Sequence, residues 1–178
     1  LLQMKYVHSL DLNEADYMKI IECKTASLMS ACCEAGARVA RADEDSISVL
    51  VSYGRFLGMA FQIVDDIMDL TLTSKETGKS AGNDLREGKM TLPVIRAFIM
   101  ADSEDKMLFH RLIKLYRING CDLKEIISLI NKYGGIEYSR KKAVEFGNLA
   151  VKELNSIVDS EAKNSLFELV DYVISRVC

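Results

Sequence analysis

Apolar residues recur at three- and four-residue intervals along almost the whole chain, and the two-residue alternation of a half-buried strand is hard to find. The spacing predicts an all-α fold. A short helical stub over 1–9 starts in Leu1-Leu2-Gln3-Met4 with no cap before it. Asp11-Leu12-Asn13 reads as a turn, with Asn13 or Asp11 placed to cap a helix from about Glu14 to Ala40. Asp43-Glu44-Asp45 opens the next helix, at the end where the helix dipole favours carboxylates. That helix runs to about Leu72 and is apolar nearly all round, as a buried central helix would be. From Thr73 to Lys89 the chain is polar and carries Gly78, Gly82 and Gly88, which predicts a loop with room for one helical turn. Pro93 suits the first turn of a helix over 92–101. Further helices are predicted over 104–118, 122–132, 136–157 and 161–176, separated by Gly120 and Gly134-Gly135. No repeat, low-complexity tract or linker interrupts them, so the expected organisation is a single helical domain over 1–178.

Composition narrows the class without changing it. Of 178 residues, 49% are apolar and 28% are charged, a balance that fits a globular, water-soluble core and not a disordered chain. The net charge of -3 gives no broad electrostatic reason to bind nucleic acid, so a bound polyanion would need a local cluster of cations or metals. No run of about 18 uninterrupted apolar residues occurs, and no transmembrane segment or signal peptide is expected. Five cysteines, Cys23, Cys32, Cys33, Cys121 and Cys178, form no C-x-x-C and no zinc spacing. They read as reduced thiols filling helix faces in a cytoplasmic protein. His8 and His110 are isolated and read as packing or surface residues.

The long apolar helix carries the first candidate chemistry. Between Arg55 and Lys75 its only charged side chains are Asp65, Asp66 and Asp69. Asp65 and Asp69 lie one turn apart on one face, and Asp66 sits about 100° round. Three carboxylates this close repel one another, and burial adds a desolvation cost to each. No lysine or arginine lies within a turn to offset it, whereas a divalent cation would. Hard oxygen ligands on one face suit Mg²⁺, which keeps several waters and often shares its shell with a substrate phosphate. The bland alternative is that the aspartates edge into solvent at a helix end.

Downstream lies Gly78-Lys79-Ser80-Ala81-Gly82-Asn83-Asp84-Leu85-Arg86-Glu87-Gly88-Lys89-Met90-Thr91-Leu92-Pro93. It is not a Walker A loop: the Gly82 to Gly88 gap is one residue too long, and Met90 follows Lys89. Alone it would pass for a solvated connection. After an aspartate triad it offers cations opposite a metal, a combination that suits diphosphate. Lys24-Thr25 on the early helix is a third element; a lysine there is ordinarily a surface residue.

These residues together resemble the trans-prenyl diphosphate synthase family. The match runs through Tyr17-x-x-x-Ile21-x-x-Lys24-Thr25, Tyr53-Gly54-x-x-Leu57-Gly58, Phe61-Gln62-x-x-Asp65-Asp66-x-x-Asp69, Gly78-Lys79, Asp84 and Gly88-Lys89-x-Thr91-Leu92-Pro93. The motifs cover about Leu1 to Pro93, and the rest is a compatible helical tail. The resemblance implies an antiparallel helical bundle of the isoprenoid synthase type around a deep cavity. It implies condensation of isopentenyl diphosphate with an allylic prenyl diphosphate through Mg²⁺-assisted ionisation. Asp65 would be the main Mg²⁺ ligand, with Asp66 and Asp69 acting directly or through water. Lys24 and Lys89 would contact the allylic diphosphate, with Lys79 nearby. Thr25 and Gln62 would point oxygen dipoles at the allylic cation.

One departure is large. The family's first aspartate-rich motif and its basic isopentenyl diphosphate site lie upstream of the region matched here, and these 178 residues contain neither. The chain therefore reads as a carboxyl-terminal portion holding about half an active site, and alone it is expected not to turn over. An exposed helical face is expected to form a homodimer or heteromer. The alternatives are a non-catalytic regulatory subunit, a terpene cyclase-like enzyme and a plain helical interaction module; retention of all three aspartates and of the glycine-lysine loop weighs against each.

Overall fold

The computed structural model describes residue 6 and residues 12–71, 81–120 and 123–177. The predicted stub over 1–9, His8, Gly78 and Lys79 therefore lie outside the described residues, apart from Tyr6. All regular structure among the described residues is helical: α1 (Glu14–Ile21), α2 (Ser27–Val39), α3 (Glu44–Thr71), α4 (Asn83–Arg86), α5 (Leu92–Met100), α6 (Ser103–Asn119), α7 (Leu123–Lys132), α8 (Gly135–Leu154) and α9 (Glu161–Ser175).

The helix predicted over 14–40 is present but not regular. Between α1 and α2 the residues Glu22–Ala26 form a wider π-turn, in which the Ser27 N–H reaches back five residues to the Glu22 carbonyl. Lys24 and Thr25 both sit in this turn. The remaining boundaries fall within three residues of those predicted. Asn13 caps α1, its Oδ1 accepting from the Asp16 N–H, and Asp43 caps α3 through the Ser46 N–H. Asp102 caps α6, and Ser160 caps α9.

The chain divides into two compact units, each drawn from two stretches of sequence. One comprises Leu1–Tyr17 and Asp65–Ser139. Its core gathers Ile67, Leu92, Val94, Phe109, Leu112, Ile126 and Ile130, all nearly or fully buried. Within it α5 packs on α7, α7 on α6, and α6 on the short α4.

The other unit comprises Met18–Val64 and Arg140–Cys178. Its packing turns on small residues. A Cβ placed on Gly58 would lie 2.5 Å from Cα of Ala26, which is itself fully buried. One turn earlier, a Cβ on Gly54 would meet the Met29 carbonyl oxygen at 2.8 Å. Glycines four apart thus let α3 approach the π-turn at Ala26 and α2 at Met29, backbone to backbone. Tyr53 Oη donates to the Leu166 carbonyl at 3.0 Å, tying α3 to α9. Lys163 is buried, and its Nζ donates to the Ile157 carbonyl at 2.6 Å and to Asp159 Oδ1 at 2.8 Å.

By length and composition alone α3 could cross a membrane. It is nonetheless 56% buried over its most apolar window and ends in three aspartates, which is the packing of a core helix.

Candidate functional site

The three aspartates occupy the last two turns of α3 and meet different fates. Asp65 is exposed, Asp69 is half-buried and Asp66 is only 4% exposed. Asp66 Oδ2 accepts a 2.7 Å hydrogen bond from the hydroxyl of Tyr17, a residue that is itself 2% exposed. Burial, then the Asp66 carboxylate, hold the Tyr17 hydroxyl well above its ordinary pKa, so it remains a donor.

Asp69 is tied to the following loop at three points. Its carbonyl accepts from the Gly82 N–H at 2.7 Å, and its carboxylate oxygens accept from the N–H groups of Asn83 and Asp84 at 3.1 Å each. These are the orphan donors at the start of α4, so Asp69 caps that helix from outside its own sequence. Gly82 precedes it at φ +73°, a left-handed conformation that suits glycine. Burial, followed by the Asp84 carboxylate, raises the Asp69 pKa to about 6, against the lowering effect of the two amides.

Lys89 closes the loop. Its Nζ donates to Asp84 Oδ1 at 3.1 Å and pairs with Glu87. Burial pulls the Lys89 pKa down, but Glu87 and Asp84 outweigh it and the net shift is upward, so the ammonium group stays charged.

In the other unit Thr25 Oγ1 donates to Gln62 Oε1 at 2.6 Å, joining the π-turn to α3. Gln62 is buried and Thr25 half-buried, while Lys24 is exposed. The structure thus groups Thr25 with Gln62, and Asp65, Asp66 and Asp69 with Tyr17, Asp84 and Lys89.

Two features escaped the sequence reading. The partners of the aspartates include a tyrosine hydroxyl on Asp66 and backbone amides on Asp69, all from outside α3. Tyr17 stood in the matched pattern without a role, and its place at the head of the Lys24-Thr25 motif was the available signal.

The residues fit a magnesium ion on the chemistry of their donors. Exposed Asp65 and half-buried Asp69 are hard oxygen ligands one turn apart, and burial, followed by the neighbouring Asp84 carboxylate, disfavours the charge on Asp69. Among the described residues no three acidic, histidine or cysteine side chains converge to enclose an ion. Mg²⁺ does not require that, because one or two carboxylates, waters and substrate phosphates complete its shell.

Residues 1–130 match the polyprenyl synthetase family model. The chain belongs to the polyprenyl synthetase family. A short chain isoprenyl diphosphate synthase from Methanothermobacter thermautotrophicus is 35% identical over 178 positions, covering 98% of this chain and 53% of that protein. A solved decaprenyl diphosphate synthase from Rhodobacter capsulatus superposes with a TM-score of 0.90 at 38% identity, over 99% of this chain and 55% of that one. A polyprenyl synthase from Caulobacter crescentus CB15, solved with calcium and isoprenyl diphosphate, has a TM-score of 0.92 at 33% identity, over 99% and 54% respectively. The chain spans about half the length of the curated relatives it matches. The all-α fold is that of this family of synthases, as expected from the periodicity.

Proposed function

We propose that this polyprenyl synthetase chain serves prenyl transfer, the condensation of isopentenyl diphosphate with an allylic prenyl diphosphate. The observation that carries the reading is the end of α3, where Asp65 and Asp69 stand a turn apart and Asp69 is bound directly to the Gly82–Lys89 loop. The Caulobacter relative, solved with a divalent cation and an isoprenyl diphosphate, supports it.

In this reading Asp65 and Asp69 hold Mg²⁺, and Asp66 supports them from within the core, fixed by Tyr17. When bound, the ion would neutralise charge on a departing diphosphate. Lys89, held by Asp84 and Glu87, is a fixed ammonium for the same diphosphate, and Lys24 and Lys79 add to it. The Thr25 proton is committed to Gln62, which leaves the hydroxyl lone pairs to act as oxygen dipoles toward an allylic cation. We further propose that α2 forms a subunit interface, because Leu28 and Val39 on it are 67% and 85% exposed.

The 178 residues hold one aspartate-rich motif, and the reading assigns them about half of a complete site. A prenyl-transfer assay with Mg²⁺, labelled isopentenyl diphosphate and a short allylic diphosphate should show no turnover by this polypeptide alone. Turnover should appear when a polypeptide bearing the family's first aspartate motif is added. Binding is the decisive arm: Mg²⁺-dependent binding of a thiolo-diphosphate analogue should weaken at least tenfold in Asp65→Ala. A folded chain that binds the analogue equally well in EDTA would sink the magnesium reading.

A further inference from the structure

A cavity of about 510 Å³ opens along α6, within the unit that holds the aspartates. Its ionisable lining residues among those described are His110, Arg111, Lys114 and Arg117, and none of the described lining residues is acidic. Their spacing lays them along one face over about 10 Å of helix. The acidic residues of α6 are confined to its first turn, and Asp105 there is already engaged by Lys132 and Tyr133. Arg111 also borders a neighbouring cleft with Glu104, Asp105 and Glu125. Lys114 and Arg117 form no ion pair with any described residue.

Cations in the later turns of a helix are favoured by its dipole, and a solvated basic face would follow from that alone. It would not by itself set those cations around a cleft with methionines beside them. Met90, 5% exposed, and Met107, 67% exposed, supply an apolar floor and lip. Methionine adapts to apolar groups of varied shape. Two arginines and a lysine in a row suit phosphate oxygens, with the guanidinium forks binding in pairs of hydrogen bonds.

We propose that this cleft is a second anion site, binding a phosphate-bearing ligand without a metal. The ligand is either a soluble phosphate or diphosphate, or the headgroup of an acidic phospholipid whose apolar portion rests on the methionines. The proposal does not depend on the magnesium reading of the α3 aspartates.

The test uses the 178-residue chain in EDTA, so that no metal site contributes. Inorganic diphosphate is titrated by calorimetry, and the chain is sedimented with vesicles of phosphatidylglycerol or of phosphatidylcholine. The Arg111→Glu, Lys114→Glu double variant reverses two exposed charges, and Lys152→Glu on α8 controls for net charge. The proposal expects binding of diphosphate or of phosphatidylglycerol vesicles, at least tenfold weaker in the double variant and unchanged in Lys152→Glu. Arg117→Lys, which keeps the charge and removes the guanidinium fork, should also weaken binding. Diphosphate binding identifies a soluble ligand; binding to acidic vesicles alone identifies a headgroup. Binding of neither probe, or binding that the folded double variant retains, would overturn it.

Discussion

The Tyr17 hydroxyl reaches across 49 residues of sequence to donate a 2.7 Å hydrogen bond to Asp66, and both side chains are buried. A buried carboxylate is tolerated only with donors around it. Tyr17→Phe keeps the ring and removes one donor, so it should cost about 1–3 kcal/mol in urea unfolding. An unchanged midpoint would show that the other contacts of Asp66 suffice.

Gly58 and Gly36 should respond to alanine with opposite sign. At Gly58 the new methyl would lie 2.5 Å from the Ala26 backbone, so α3 and the π-turn must part. The expected loss is about 1–3 kcal/mol. At Gly36 no atom lies within 4 Å, and alanine on this exposed stretch of α2 should gain up to about 1 kcal/mol. Thermal unfolding of the two variants side by side checks both, and a destabilised Gly36→Ala would show that a partner covers this part of α2 in solution.

Asp69 should impose a pH dependence on the metal-free chain. Its folded pKa of about 6 exceeds the ordinary 3.8, so folding favours its protonated form. The stabilisation is fully present below pH 3.8 and is lost as pH rises through 6. Between pH 4 and 7 wild type should therefore lose stability relative to Asp69→Asn, which has no charge to titrate. Mg²⁺ with diphosphate should reverse that loss at pH 7. Parallel stability profiles for the two proteins in EDTA would contradict the assignment.

Lys163 and Asp159 form an ion pair in which only the lysine matters. Lys163→Met leaves the Ile157 carbonyl without its 2.6 Å donor and should cost about 1–2 kcal/mol. Asp159 is 99% exposed, so Asp159→Asn should leave the unfolding midpoint within error. Equal losses in both variants would locate the energy in the pair instead.

The helices were legible because each buries one stripe, and apolar periodicity records that stripe residue by residue. Caps at Asn13, Asp43 and Ser160, and the glycine ending α6, mark their boundaries as local chemistry requires. The π-turn was not legible, because Glu22–Ala26 has ordinary helical composition and its close neighbour Gly58 lies far along the chain. The family motif located the aspartates, but their partners depend on tertiary contacts: Tyr17 comes from α1, and the α4 amides lie 14 and 15 residues beyond Asp69. The partition into two units also lay beyond periodicity, since it divides α1, α3 and α8 within their own lengths.

Asp69 and Gly82 meet through a 2.7 Å backbone hydrogen bond, so two positions well separated in sequence are fastened to each other. Doubling the length of a closed stretch of chain costs only about 0.6 kcal/mol in chain entropy. A peptide inserted between them, such as an epitope or a fluorophore-bearing tag, would therefore cost little in closure, and the bond would still hold the end of α3 against the start of α4. A reporter placed there would be joined through the chain to Asp69 at one end and to Gly82 at the other, the two residues whose alignment it would be meant to sense.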